Sequence, residues 1–240
     1  MPSPYNIEIQ NSCTSCERGA ERLFCNMSPA AMKTLDAIKF TSVYPKGSIL
    51  FVDGEEPRGV FILCSGRAKL TTSSSEGRTL IVKIAEAGEV LGASATILGR
   101  PYEVSAETLE PSQLNFIKRD DFLRFLNAHA DACMHTAQQL SEKYQSAQRE
   151  IRSFGLAQTT TEKLARLMLN WCGENGEKTA NGGMRLKVLL THEEIAQMIG
   201  TTRETVTRLL TSLRAKKVIE VKGSTVNVMR MDTLEAMVTV

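Results

Sequence analysis

The chain lacks any apolar run near the roughly 20 residues needed to cross a bilayer. Its opening stretch, MPSPYNIEIQNS, has neither a basic n-region nor an apolar h-region. No membrane partner and no secretory leader are expected, and the expected location is the cytoplasm. A P-loop, a paired-carboxylate motif and a Ser-His-Asp order are also missing, so the residues give no argument for an enzyme. Net charge is scarce: 29 basic and 27 acidic residues leave +2 over the whole chain. Any strong field towards a charged partner must therefore be local. What is present is enough chain for two domains, 240 residues at 42% hydrophobic content, normal for a globular protein. There are also six cysteines, which in a reducing compartment point to metal or redox chemistry more than to structural disulfides.

The most specific pattern lies in residues 190–214. Thr191 and Glu194 form a capping-box pair that opens one short helix with Ile195, Ala196 and Ile199 inside. Gly200 ends that helix, and Thr201 or Thr202 caps the next. At about 100° per residue, Val206, Leu209, Leu210 and Leu213 gather on one side of the second helix, with Arg203, Glu204, Thr207 and Arg208 on another. Two helices joined by a short glycine-containing turn read as a helix-turn-helix, and the polar side offers donors and an acceptor suited to base edges in the major groove of double-stranded DNA. Between Arg203 and Lys222 six basic residues face two acidic ones, so the charge is concentrated where phosphates require it. The runs 218–221 and 225–228 flank a turn holding Gly223 and read as a hairpin wing with Lys222 at its tip, placed to touch a phosphate. His192, at the start of the first helix, reads either as a phosphate donor or as a solvated surface residue. The expected DNA-contacting residues are Thr202, Arg203, Glu204, Thr207, Arg208 and Lys222.

Residues 40–118 differ in kind. Glycines recur at Gly54, Gly66, Gly77, Gly88 and Gly99, between β-type runs at 48–52, 60–64, 68–72, 79–84 and 113–117. Short strands at regular spacing without helical crossovers predict an antiparallel sandwich or barrel. The turn around Gly88–Ala95 reads as backbone N–H groups facing a ligand phosphate, or as glycines serving tight turns. A barrel of this kind could also be a small-molecule-binding module or enzyme without a DNA role. Residues 119–154 lack Pro and Gly and predict one long helix. Ala130, Cys133, Ala137, Leu140, Tyr144, Ala147, Ile151 and Phe154, spaced alternately three and four apart, give it an a/d seam suited to a second copy of itself. Phe154-Gly155 reads as a hinge, with Gly155 interrupting the helix before Thr159-Thr160-Thr161 begins the next.

This order, together with Leu190–Ala196 and Gly200–Arg208, resembles the CRP/FNR family of bacterial transcription regulators over about residues 23–230. The resemblance implies an α+β chain. Residues 1–28 would be a cysteine-containing segment, 29–118 a jelly-roll-like, cyclic-nucleotide-binding-like β-roll, 119–156 a dimerisation helix and 157–240 a winged helix-turn-helix. It implies a homodimer on palindromic DNA, working with RNA polymerase to activate or repress, with Arg203, Glu204 and Arg208 on bases. The Arg-Glu-x-x-x-Arg form is similar to the subgroup that reads TGTGA-like arms. At the family's phosphate cassette this chain has Gly92-Ala93-Ser94 and Val104-Ser105. The acid and the arginine that hold a cyclic nucleotide are replaced by Ala93 and Val104, which argues against cAMP. Gly92, Ser94 and Ser105 remain as lining for another effector.

Cys13-x2-Cys16-x8-Cys25 lies just before the roll, at a spacing with which thiolates can converge on one metal or cluster. Its place is similar to the cluster-binding segment of FNR, although FNR's internal fourth cysteine corresponds here to Asn115. Cys64, Cys133, His129 and His135 are the candidates for the remaining position. Three readings stay open: an iron–sulfur sensor, a thiol–disulfide switch or zinc site, and ordinary reduced cysteines. Cys64 and Cys172 read most simply as buried small hydrophobes.

Overall fold

The structure, a computed structural model, describes residues 5, 7–16, 22–156, 159–179 and 183–238. It divides into two compact units, residues 1–145 and 146–240.

In the first unit, helix α1 (Pro29–Ile38) starts at Ser28, whose hydroxyl accepts from the Ala31 N–H, with proline in the first turn where its missing donor costs nothing. One four-stranded sheet runs in the order β1 (Phe40–Tyr44), β8 (Ser112–Lys118), β3 (Gly59–Ser65), β6 (Val90–Leu91). A second runs β2 (Ile49–Phe51), β7 (Ser105–Thr108), β4 (Ala68–Ser73), β5 (Thr79–Ala85). Every pairing is antiparallel. Each of the five expected runs lies in or contains a strand, and β1, β6 and β7 join them. β3 shows why this region folds as it does: alternate side chains face opposite sides of a strand, and both sides of β3 are covered. Val60 and Ile62 pack with Phe24, Leu35, Phe122 and Phe125, while Phe61 and Leu63 pack with Phe51, Leu91, Tyr102 and Leu114. Each fully buried Leu, Ile or Phe contributes about 1.5–3 kcal/mol.

Residues 119–156 are not one helix. α3 (Arg119–Ala128) stops at an extended His129 (φ −129°, ψ 101°), and α4 (Ala130–Leu156) follows. The cause is tertiary. Phe122 and Phe125 draw α3 into the core. The His129 ring hydrogen-bonds the Thr34 hydroxyl on α1 at 3.0 Å, and the Asp131 carboxylate accepts from the Ser28 N–H at 2.7 Å. The joint is thus pinned from α1. Gly155 does not interrupt α4, which runs on to Leu156. Residues 157 and 158 and the Phe154 side chain lie outside the described residues. Along α4, Ala132, Thr136 and Gln139 are buried, whereas the seam residues Ala130, Cys133, Ala137, Tyr144, Ala147 and Ile151 are exposed.

The second unit packs α5 (Thr160–Asn175), α6 (His192–Ile199), α7 (Arg203–Ala215) and α8 (Met231–Ala236) with a sheet ordered β11 (Ile219–Lys222), β12 (Thr225–Val228), β10 (Met184–Lys187), β9 (Glu177–Lys178). Its core joins Leu164, Met168, Ile195, Ile199, Val206, Leu213, Val218 and Val228. The Thr159 hydroxyl accepts from the Glu162 N–H at 3.1 Å and so caps α5.

Candidate functional site

In the helix pair, the Thr191 hydroxyl accepts from the Glu194 N–H at 3.2 Å, and the Glu194 carboxylate accepts from the Thr191 N–H at 2.7 Å. Gly200 terminates α6 at φ +66°, a conformation glycine adopts without the Cβ clash. Of the two threonines, Thr202 is the cap of α7, accepting from the Thr205 N–H at 3.3 Å. The division of α7 is as read: Val206 and Leu213 are buried, and Thr202, Arg203, Glu204, Thr207 and Arg208 are exposed. Among the described residues no ion pair engages Arg203, Arg208 or Glu204. β11 and β12 pair from Ile219–Val228 to Lys222–Thr225 around a turn with Gly223 at φ +59°. Lys222 at that tip is exposed and lies 3.0 Å from Glu220. Glu220 is held below the usual carboxylate range by its bonds from Lys222 and Asn227.

His192 is a surface residue, as one of the two readings had it, and it also has a partner within the domain. Its Nδ1 lies 2.9 Å from the Thr207 hydroxyl, which also donates to the Arg203 carbonyl at 2.9 Å. The start of α6 is thereby tied to the middle of α7. A partner 15 residues away cannot be read from helical spacing.

In the roll, Gly92 caps α2 (Ala93–Leu98) at φ +76°, and a Cβ there would come within 2.8 Å of the Tyr102 ring. Tyr102 stacks on Phe51 with centroids 4.1 Å apart and donates to the Gly59 carbonyl at 2.8 Å. Ser105 Oγ accepts from the Asp53 N–H at 2.9 Å, and Ser94 is half-buried. The first part of the turn expected to face a phosphate, residues 88–90, donates within the protein. Gly88 N–H donates to Leu63 O at 2.7 Å, Glu89 N–H to Glu86 O at 3.2 Å, and Val90 N–H to Gln139 Oε1 at 2.8 Å.

The cysteines stand as free thiols, and Cys172 is buried as expected. Gln10 and Gln113 exchange two hydrogen bonds of 2.8 and 2.7 Å, fastening the N-terminal segment to β8. Cys13 N–H donates to Asp36 at 2.7 Å, and buried Asn115 donates to Cys13 Sγ at 3.6 Å. Cys25 ends a 3-10 turn, Leu23–Cys25, just after Arg22, whose guanidinium donates to the Cys64 carbonyl at 2.7 Å. Cys13, Cys16, Cys25 and Cys64 lie close enough to perturb one another electrostatically. Burial is the largest cause pushing the thiols of Cys13, Cys25 and Cys64 up, to about 12, 11 and 12. All six cysteines are free. As they stand, no three His, Cys, Asp or Glu side chains among the described residues are arranged to hold a metal ion. Of the four candidates to join the N-terminal three, Cys64 is tied to their segment through Arg22. His129 is bonded to Thr34, and Cys133 is exposed on α4.

A sensor-type roll, a long helix and a winged helix-turn-helix in that order define a DNA-binding transcription regulator, and the comparisons with known proteins agree. The cyclic nucleotide-binding domain model matches residues 41–129, and the Crp-like helix-turn-helix domain model matches 162–237. The chain belongs to the CRP/FNR family of regulators. The cAMP-activated global transcriptional regulator CRP of Pasteurella multocida (strain Pm70) is 26% identical over 184 residues, 76% of this chain and 87% of that protein. The Cyclic AMP receptor protein of Thermus thermophilus is 22% identical over 213 residues, 89% of this chain and 94% of its own. Among solved structures, the c-di-GMP responsive global regulator CLP of Xanthomonas campestris superposes with a TM-score of 0.73 at 20% identity, covering 84% of this chain and 99% of that one. No helix among the described residues is long and apolar enough to cross a membrane.

Proposed function

We propose that the protein is a homodimeric regulator that reads palindromic DNA with TGTGA-like arms, under control of a metal- or redox-linked signal sensed at its N-terminal thiols. The observation that carries the DNA reading is the exposed, ion-pair-free Arg203–Glu204–Arg208 edge of α7, lying opposite the buried Val206 and Leu213. Arginine suits guanine O6 and N7, and glutamate accepts from cytosine N4. Lys222 on the wing and the cap residue Thr202 add backbone contacts. Thr207 takes part through its position more than its hydroxyl, which His192 and Arg203 already occupy. The dimer is supported by the exposed seam of α4, where Tyr144 is 65% and Ile151 72% exposed. Apolar side chains at a/d spacing turned to solvent call for a matching helix, and two recognition helices one DNA turn apart then read a palindrome. Bound beside a promoter, such a dimer would work together with RNA polymerase.

cAMP is not carried over from the relatives, because Ala93 and Val104 stand where an acid and a guanidinium would be needed. An iron–sulfur cluster or zinc at Cys13, Cys16 and Cys25 is the signal the donor chemistry suits; a bound soft metal would supply a charge centre that draws thiolates together. Selection from a random DNA library with anaerobically purified protein tests the reading. Palindromes with TGTGA-like arms are expected. TTGAT arms, or half-sites without symmetry, would overturn it. The sensing part fails if wild-type DNA affinity is the same with and without metal or oxidant.

A further inference from the structure

The winged domain holds a cavity of about 120 Å³ between α5, α6, α7 and the wing. Its walls are apolar. Met168 and Trp171 come from α5, Ile195 from α6, Leu210 from α7 and Val226 from β12. Met168, Ile195 and Val226 are buried, and Trp171 and Leu210 pack against that core half-buried. The frame is fixed on two sides. Where α7 joins the wing, Lys217 sits at φ +55° and the Val218 N–H donates to the Leu213 carbonyl at 3.0 Å. Beside the wing turn, the Val188 N–H donates to the Ser224 carbonyl at 2.7 Å. With both ends of the hairpin anchored, α7 and the wing keep their spacing.

The polar side chains at the cavity are His192, Thr207, Thr211 and Arg214, and no acidic side chain lines it. The two hydroxyls are already engaged. That of Thr207 meets His192 and the Arg203 carbonyl, and that of Thr211 donates to the Thr207 carbonyl at 2.8 Å. Arg214 is exposed, and among the described residues no ion pair or hydrogen bond engages its side chain. A guanidinium is a planar fork that matches a carboxylate with two parallel hydrogen bonds. Apolar walls with a few convergent polar groups are the make-up of small-ligand sites. An apolar cavity of about 150 Å³ holds benzene, so this one suits a compact branched chain or a single ring. Its mouth, at exposed Thr211, Arg214 and Gly223, leaves room for a head group. The cavity also reaches the reading apparatus, because Thr207 is on the exposed face of α7 and Gly223 is next to Lys222 on the wing.

We propose that this cavity binds a small hydrophobic monocarboxylate, with its branched or single-ring body against Trp171 and Leu210 and its carboxylate on Arg214, and that its occupation excludes DNA. A phosphate backbone approaching α7 and Lys222 then meets a negative charge where Arg214 had offered a positive one. By linkage, ligand and operator weaken each other's binding by the same factor. The exclusion rests on the DNA reading above, whereas the binding site does not. It is an input to the winged domain itself, separate from any signal at the N-terminal thiols.

Trp171 is the only tryptophan of the chain, so its emission reports on the cavity. The full chain is titrated with benzoate and with 3-methylbutanoate, the ionic strength being held constant with chloride. Both should change Trp171 emission saturably. Benzamide keeps the ring without the charge and acetate keeps the charge without the body, and each should bind about 10-fold or more weakly than benzoate. Arg214→Gln should weaken benzoate binding by a similar factor, and so should Thr211→Phe, which fills the mouth from an exposed position. Each variant's thermal melt without ligand separates misfolding from ligand loss. No saturable response to either carboxylate, or an equal response to benzamide, overturns the site. Either folded variant binding benzoate like wild type overturns its placement. Saturating benzoate should lower wild-type operator affinity about 10-fold or more, and leave that of Thr211→Phe within about twofold of its own ligand-free value. Benzoate binding with operator affinity unchanged overturns the exclusion and leaves the site. If selection returns no specific DNA, the DNA reading falls, and the fluorescence titration still decides the site.

Discussion

The winged domain and the β-roll spend their polar groups in opposite ways. On α7 the chemistry faces outward: Arg203, Glu204 and Arg208 are exposed and, among the described residues, without ion pairs, carried on a helix held from behind by Val206 and Leu213. In the roll the groups of interest are turned inward, with the donors of the Gly88–Val90 turn, the Ser105 hydroxyl and the cysteines bonded or buried in the protein. A surface that must fit a rigid, highly charged partner can be built complete on one short element. A sensor must couple to its own framework, so its groups come from several segments and are bonded to that framework.

The comparison is broken most severely by separating the two halves of the proposed dimer. Tyr144→Glu with Ile151→Glu should give a monomer by ultracentrifugation and lower operator affinity about 1000-fold, towards the level of non-specific binding. Arg203→Ala and Arg208→Ala should each cost about 10–100-fold on the specific operator, measured by anisotropy at one salt concentration, with binding to unrelated DNA much less affected. Equal losses on both DNAs would move these arginines from base reading to phosphate contact. Thr191→Ala removes the reciprocal cap of α6 and should cost about 1 kcal/mol of stability, seen as a lower midpoint of thermal unfolding. Lys222→Ala should weaken all DNA binding only a few-fold and reduce the salt slope by about one. On the inward side, brief iodoacetamide treatment followed by peptide mapping should label exposed Cys133 before Cys13, Cys25 and Cys64. Burial holds those three as thiols at pH 8, well below their values of about 12, 11 and 12, and the thiolate is the reactive form.

The same contrast decides what could be read before the structure. The capping box, the αL glycine, the split face of α7 and the wing depend on neighbours within about four residues or one hairpin, and each is where the pattern put it. The break at His129 depends on contacts to Thr34 and Ser28, 95 and 103 residues apart in sequence, and nothing in the helix-prone run 119–154 announces it. Gly155 continuing the helix is a similar case, since one glycine costs about 0.5–1 kcal/mol in a helix, too little to end one on its own. Cys64 was read as a buried hydrophobe because local pattern cannot show that Arg22 ties its peptide to the turn before Cys25. His192 was read alone because its partner is on the following helix. The polar side of α4 was the least legible: Gln139 and Lys143 look like solvent-facing positions until the Val90 backbone is seen between them.

That inversion of α4, with Gln139 and Lys143 towards the roll and Tyr144 and Ile151 towards solvent, has a consequence for dosage. If pairing through the outer side is weak, protomers are mostly single at low abundance, and occupancy of a palindrome then rises with the square of protomer concentration. The cell's own supply of the protein becomes an input alongside any chemical signal. A modest rise in synthesis would produce a disproportionate rise in bound operator, and a substitution that tightened the seam would flatten that response.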